Sequence, residues 1–291
     1  MGSIKNFFAK LGLIFRDIKL AHSLFALPFA LLAAFLAANG FPSLGKFFWI
    51  LVAMVGARSG AMAMNRLADA SFDARNPRTA ARAIPSGKLR KAEMAAFIIV
   101  SFALLVLAAA MLNRLCLYLS PVAIAWMCFY SLTKRFTALS HFVLGMSLAI
   151  APMGAWLAIK GGFELSPFFI SAAVLLWVAG FDILYSIQDI DIDKREGLHS
   201  IPRVFSVRAS LWISRGLHFL SVLLLTGPYF LLHLGPVYLA GLFVAAALFI
   251  WEHHLVKPDD LSKLNIAFFN MNGWISVTFF IFGAIDILVR R

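Results

Sequence analysis

The residues with the clearest chemical content are two pairs of aspartates, Asp69 with Asp73 and Asp189 with Asp193. Each pair is spaced i, i+4, which on a helix stacks the carboxylates along one face. Like charges one turn apart repel, at a cost of about 0.2–0.5 kcal/mol in an isolated helix and more where the dielectric is low, so the spacing invites a cation. Asn65 extends the first row by one turn and Tyr185 extends the second. Hard oxygen donors of this kind suit magnesium, which keeps waters and prefers one or two carboxylates plus the phosphate oxygens of a substrate. Basic residues crowd the same segments: Arg66, Arg75, Arg78 and Arg82 in the first, Lys134 between the two, Lys194 and Arg203 in the second. A site rich in both signs makes sense around a ligand that is anionic at one end. The plainer reading, solvated carboxylates paired with nearby arginines, suffices for any single aspartate. It does not suffice for two pairs of matched spacing, each followed by a basic loop.

The elements that must position these residues are membrane helices. The chain has 291 residues, 62% hydrophobic and 14% charged, with a mean hydropathy of +0.86, against roughly 45–50% apolar and 25% charged residues in a soluble domain. Its apolar runs are too long and too unalternating for barrel strands. They predict an all-α membrane protein, one polytopic domain over 1–291, with nine spans near 20–39, 46–65, 93–112, 115–132, 139–159, 166–188, 209–232, 236–252 and 266–288. The basic start followed by an apolar stretch of spanning length reads as a first membrane helix rather than a cleaved leader. Links at 113–114 and 233–235 predict tight helical hairpins.

Charge placement orients the bundle. Lys and Arg concentrate before the first span and in the segments 66–92, 133–138, 189–208 and 253–265, against only Lys46, Arg114, Lys160, Arg290 and Arg291 on the other side. The asymmetry predicts a cytoplasmic N-terminus and a cytoplasm-facing site. It also accounts for the net charge of +12 without nucleic acid as a partner. The second and sixth spans both end in an aspartate pair, a basic segment and an Ile-Pro step, Ile84-Pro85 and Ile201-Pro202. The pattern predicts a weak internal repeat of two similar halves, each giving one acidic helix end to a shared cavity.

Other residues carry less. Asp182 lies about two turns before Asp189 on nearly the same face, a place on the cavity wall, whereas Asp191 is out of phase and faces water. His22 and His141 read as buried, satisfied imidazoles, His253-His254 as a solvated helix end, and Arg58 as reaching the cavity or snorkelling. Pro28, Pro121 and Pro152 lie within apolar runs as kinks. Cys116 and Cys128, the only cysteines, read as buried small hydrophobes. The 29 Phe residues mostly face lipid, and rings near the metals could stabilise a carbocation.

The motifs resemble the UbiA family of intramembrane aromatic prenyltransferases along the whole chain. The first signature reads Asn65-x3-Asp69-x3-Asp73-x4-Arg78-Thr79-x2-Arg82-x2-Pro85-Ser86-Gly87, and the second Tyr185-x3-Asp189-x3-Asp193-x3-Gly197-x2-Ser200. The segment Tyr130-Ser131-Leu132-Thr133-Lys134-Arg135 resembles the family's loop after the fourth span. Either aspartate motif alone would be weak; the joint pattern is specific. Two departures separate the chain from the well-known 4-hydroxybenzoate type: Arg66 follows Asn65 where an Asp is common, and Ser131 follows Tyr130 where a Pro is common. The run from Gly180 to Asp189 is similar to a bacterial branch called 4-hydroxybenzoate polyprenyltransferase-like.

The resemblance implies transfer of a polyprenyl group from its diphosphate to an aromatic ring in the bacterial inner membrane, on the path to ubiquinone or menaquinone. It implies that Asp69, Asp73, Asp189 and Asp193 hold Mg2+ with Asn65 assisting, and that Arg78, Arg82, Lys134, Lys194 and the Tyr185 hydroxyl grip the diphosphate. The acceptor it implies is an aromatic acid, 4-hydroxybenzoate or 1,4-dihydroxy-6-naphthoate, with Arg66 or Arg135 on its carboxylate. The two basic loops would act as lids that keep water from the cation. A haem or chlorophyll precursor is the alternative acceptor, and a cation-coupled transporter the alternative class, disfavoured because the acids gather at one end of the bundle rather than at its midplane. The Asp-Gly-x2-Ala-Arg signature of the CDP-alcohol phosphotransferases is absent. Oligomeric state is left open by the sequence.

Overall fold

The computed structural model describes residues 2–18 and 25–290. It is helical throughout, and among the described residues the only β-type pairing is an isolated bridge between Lys257 and Asp260. Along the chain run α1 (Gly2–Asp17), α2 (Ala26–Ala38), α3 (Leu44–Ala68), α4 (Ala70–Arg75), α5 (Lys91–Leu112), α6 (Arg114–Thr133), α7 (Ser140–Lys160), α8 (Leu165–Ser186), α9 (Ile190–Glu196), α10 (Ile201–Val204), α11 (Val207–Leu231), α12 (Pro236–Leu255), α13 (Leu264–Ile266) and α14 (Asn272–Val289). Among the described residues 8 helices are long and apolar enough to cross a membrane. The first predicted span, 20–39, is represented by the shorter apolar α2 of 13 residues. Its positions 20–24, His22 among them, lie outside the described residues. The segment 2–17, for which the sequence predicted no element, is the helix α1. Its Ile14, with Ile18 just past its end, joins a cluster with Ala63, Ala83, Leu89 and Met94, and its Lys10 pairs with Glu93 at 2.6 Å.

The two predicted hairpins are tight for identifiable reasons. Asn113 alone joins α5 to α6: its side-chain oxygen accepts from the Cys116 N–H at 2.9 Å and its amide donates to the Leu157 carbonyl at 2.8 Å. The link into α12 is held by Asp286 of α14, whose carboxylate accepts the Gly235 and Tyr238 N–H groups at 2.7 and 3.1 Å. An acid inside an apolar span is thereby used as a helix cap. Of the prolines, Pro121 and Pro152 do lie inside helices, joined by Pro228, whereas Pro28 falls in the first turn of α2, where it needs no kink.

Helix α3 packs on α5, α7 on both α2 and α8, α8 on α11, and α12 on α14, which returns to α2. Close approach of α3 to α5 depends on Gly56 and Gly60: a Cβ at Gly56 would stand 2.7 Å from the Ser101 carbonyl, and one at Gly60 would stand 2.5 Å from the Phe102 ring. Small residues spaced by four are a common means of bringing membrane helices together.

The element that most affects the site lies at the start of the last span. Residues Ala267–Met271 form a π-helical turn, held by the Asn272 amide, which donates to the Ala267 and Phe268 carbonyls at 3.2 and 3.0 Å. Asn272 is itself fixed by Glu252 at 3.0 Å and by the Trp177 indole N–H at 2.5 Å, all three buried. The turn stacks Phe268 on Tyr185 with ring centroids 4.0 Å apart and brings Phe269 against the same ring edge-on at 5.8 Å. Asn272→Leu would leave the Trp177 N–H and the Glu252 carboxyl without their partner. We expect a loss of about 1–3 kcal/mol in stability, the cost of stranding buried polar groups, read as a lower unfolding midpoint in detergent. An unchanged midpoint would refute this account of the turn.

Candidate functional site

Both motif helices break at their first aspartate. Asp69 separates α3 from α4 with φ −91° and ψ 2°, and Asp189 precedes α9 at the end of a 3₁₀ turn with φ −104° and ψ 6°. This corrects the picture of two uninterrupted helical rows: both residues occupy the sparsely populated bridge region, where active-site residues often sit. The i, i+4 ladder nonetheless continues across the first break, with the Asp69 N–H donating to the Asn65 carbonyl at 2.9 Å and the Asp73 N–H to the Asp69 carbonyl at 2.8 Å. The spacing read from sequence therefore holds although the helix does not. The same break in both halves is the structural counterpart of the predicted repeat.

In the first half, the Asn65 amide donates to Asp69 Oδ2 at 2.9 Å, and Arg82 donates to both oxygens of Asp73 at 2.7 and 2.6 Å. Thr79 caps the backbone of the buried Asp73 through its carbonyl at 3.1 Å. In the second half, Arg78 holds Asp189 bidentately, Nη2 to Oδ2 at 2.7 Å and Nε to Oδ1 at 3.2 Å, while its Nη1 donates to the Tyr185 hydroxyl at 3.1 Å. Asp193 is fully buried, accepts from the Ser200 hydroxyl at 2.7 Å, and lies 2.8 Å from Lys134 Nζ. That ion pair is not aligned as a hydrogen bond, so Oδ1 of Asp193 is a buried acceptor without a donor.

The halves are joined through their cations. Arg78 and Asn76 come from the loop of the first half and reach Asp189 of the second, Arg75 pairs with Glu196 at 2.6 Å, and Lys134, paired with Asp193, also acts on Asp69. Burial first, and then the charge of Asp73, push the Asp69 carboxyl up to about 6, against the opposing influence of Lys134, Arg135 and Arg66. A cavity of about 240 Å³ opens beside Asp189, lined in part by Asn76, Arg78, Asp191 and Arg195.

Of the residues singled out by sequence, Asn65, Asp69, Asp73, Arg78, Arg82, Lys134, Tyr185, Asp189 and Asp193 gather in this network. Arg66 is buried and turned to the Asp17 carbonyl at 3.2 Å and the Asn65 side chain at 3.1 Å. Arg135 donates to the Ala68 carbonyl at 2.8 Å and lies over the Phe72 ring. Lys194, one residue out of phase with Asp193, is exposed and makes no ion pair among the described residues. Asp182 is bound to the buried His141 at 2.7 Å; because His141 Nε2 accepts from the Ile201 N–H at 3.3 Å, Nδ1 carries the proton and donates to Asp182. His253 is not simply solvated: it is half-buried, with Nε2 3.0 Å from His218 Nδ1. Sequence reasoning assigned no role to Asn76, although Asn76-Pro77 after Arg75 is a helix-stop signal. It also passed over Phe268, Asn272 and Glu252; the signals for the last two were polar interruptions in the final two apolar runs.

The donor set fits a divalent cation bound together with phosphate. Among the described residues no three carboxylate, imidazole or thiol groups converge on one point. The Asp69 carboxyl, raised by its burial and by Asp73, is an acid that further positive charge would favour.

Comparison with known proteins bears on the family and the fold. The model of the UbiA prenyltransferase family matches residues 26–274. A 4-hydroxybenzoate octaprenyltransferase of Ectopseudomonas mendocina is 32% identical over 264 residues, covering 89% of this chain and 86% of the relative. One of Aeromonas salmonicida is 32% identical over 244 residues, covering 82% and 83%. Among solved structures, the apo UbiA homologue from Aeropyrum pernix K1 superposes with a TM-score of 0.84 at 32% identity, over 92% of this chain and 98% of that one. The Archaeoglobus fulgidus homologue bound to DMAPP and Mg2+ shares the fold at a TM-score of 0.71 and 19% identity, over 94% and 98%. Motif, fold and likeness along the chain converge, and this integral membrane protein belongs to the UbiA prenyltransferase family.

Proposed function

We propose that the chain, acting as one polytopic domain, transfers a polyprenyl group from polyprenyl diphosphate to a ring carbon of a hydroxyaromatic acid, with Mg2+ as cofactor and its site open to the cytoplasm. The observation that supports this reading is the reach of first-half cations to the second carboxylate couple, Arg78 on Asp189 and Lys134 on Asp193, beside an Arg82–Asp73 pair within the first half. Asp69, Asp73, Asp189 and Asp193 would hold magnesium, which supplies positive charge against the departing diphosphate.

The remaining roles belong to residues of this chain. Arg78 and Lys134, the latter between Asp69 and Asp193, carry donors suited to diphosphate oxygens, with the Tyr185 hydroxyl beside Arg78. Arg82 keeps Asp73 in place through its two contacts. As the allylic C–O bond breaks, its electron pair leaves with the diphosphate. A π pair of the acceptor ring then forms the new C–C bond. The proton on the attacked carbon is lost, and Asp182, oriented by the His141 N–H, is the acceptor we assign to it. The stacked faces of Tyr185 and Phe268 offer π density toward a cation that forms beside them. A 4-hydroxybenzoate acceptor is favoured over 1,4-dihydroxy-6-naphthoate by the names of the relatives.

Purified Asp69→Ala and Asp189→Ala variants are expected to fold yet lose at least about 10²-fold in metal-dependent turnover, the scale of removing one electrostatic contributor to a transition state. Near-normal rates in both would sink the assignment. Incubation with magnesium, a long-chain prenyl diphosphate and each acid in turn, with products identified by mass, should yield prenylated 4-hydroxybenzoate; a prenylated naphthoate alone would reassign the acceptor. The raised Asp69 carboxyl predicts a pH dependence. Its folded value of about 6 lies above the ordinary 3.8, so the metal-free fold is penalised as pH rises from about 4 through 6 and the full penalty stands at neutral pH. Magnesium, competing with that proton, should raise the unfolding midpoint more at pH 7.5 than at pH 5. An equal rise at both would show that Asp69 is not a ligand.

A further inference from the structure

The end of the bundle that carries the motifs bears a second group of cations that the proposed reaction does not use. Helix α11 begins there, directly after α9 and α10, and exposes Trp212, Phe219 and Leu223 along one side. Arg215 lies on the same stripe, three residues after Trp212 and four before Phe219. Its guanidinium folds back over the Trp212 ring, 4.7 Å from the centroid. This direction, toward the helix N-terminus, carries the charge out of the span toward its end. Arg208, two turns earlier on the same side, is exposed. Arg208, Leu211, Trp212, Arg215 and Pro258 line a cavity of about 380 Å³.

Among the described residues neither guanidinium stands within ion-pair distance of a carboxylate. The ionisable group beside Arg215 is His253, which brings no negative charge. In the loop after Pro258, Asp260 Oδ1 is taken by the Ser262 N–H at 3.0 Å and its hydroxyl at 2.6 Å. A guanidinium on a lipid-facing stripe is costly unless it meets an anion or water. Trp212, about 7–8 Å into the helix, sits at the depth where indole rings mark the boundary of headgroups and acyl chains. Phe219 and Leu223 continue the stripe toward the hydrocarbon.

From the two unpaired arginines, the cavity and the apolar stripe below it, we infer that this cavity binds the phosphate of an anionic glycerophospholipid, with the acyl chains along α11. The inference is independent of the reaction proposed above. The stripe distinguishes a lipid from free phosphate, which would use the arginines alone.

The test uses the full chain reconstituted in phosphatidylcholine vesicles doped with brominated phosphatidylglycerol or brominated phosphatidylcholine, with the Trp212 fluorescence isolated by subtraction of Trp212→Phe. The brominated anionic lipid should quench Trp212 more strongly than the brominated neutral one. Arg208→Gln and Arg215→Gln should each weaken that preference roughly fivefold, and Arg215→Lys, which keeps the charge, should retain most of it. Millimolar inorganic phosphate should not compete. Equal quenching by the two lipids, insensitivity to both Gln substitutions, or loss in Arg215→Lys equal to that in Arg215→Gln would overturn the site. Displacement by inorganic phosphate would overturn the lipid as its occupant.

Discussion

Everything at the motif end of this molecule answers to one electrostatic constraint. Four aspartates are held at poorly solvated helix ends, where like charges repel strongly and water screens them little. The fold meets the constraint with cations drawn from the first half: Arg82 stays within it on Asp73, whereas Arg78 reaches over to Asp189, Arg75 to Glu196, and Lys134 stands between Asp69 and Asp193. The acids of the second half are therefore incomplete without the first. On the function proposed, a diphosphate with its metal would replace this arrangement with one of the same sign pattern, the ligand's anion taking over the arginines and its cation the acids. Such binding would be an exchange of partners rather than the creation of new charge in a dry place.

That exchange needs helix ends that stay where they are. Close approach of α3 to α5 through Gly56 and Gly60, and the burial of α8 between α7 and α11, fix the stems from which the motif residues project. The breaks at Asp69 and Asp189 then turn the last few residues of each motif without losing the backbone ladder of the first.

Much of this was legible in the sequence, and the reason is periodic. Hydropathy alone defines spans of membrane length, and a four-residue spacing of acids survives a mild kink, so the two rows and their basic loops could be read directly. What could not be read depends on contacts between distant segments. Lys194 and Arg66 were grouped with the ligand-binding cations because composition does not say which way a side chain turns; the structure leaves Lys194 in solvent and ties Arg66 to the backbone of α1. Helix α1 escaped because a short amphipathic segment is weak evidence next to strong apolar runs. Asp286 and Glu252 went unremarked in apolar stretches, and only tertiary structure reveals one as a cap for α12 and the other as a prop for Asn272.

The π turn before α14 has a consequence for the phase of that helix. A π turn holds one residue more than an α turn would, and each residue advances a helix by about 100°. The face of α14 that packs on α2 and α12 and the face that sets Phe268 against Tyr185 are thus rotated independently of one another. The aromatic wall of the site can keep its bearing on the reacting end of a substrate while the rest of the last span keeps its own register with its neighbours. One inserted residue, secured by Asn272, does the work of a universal joint.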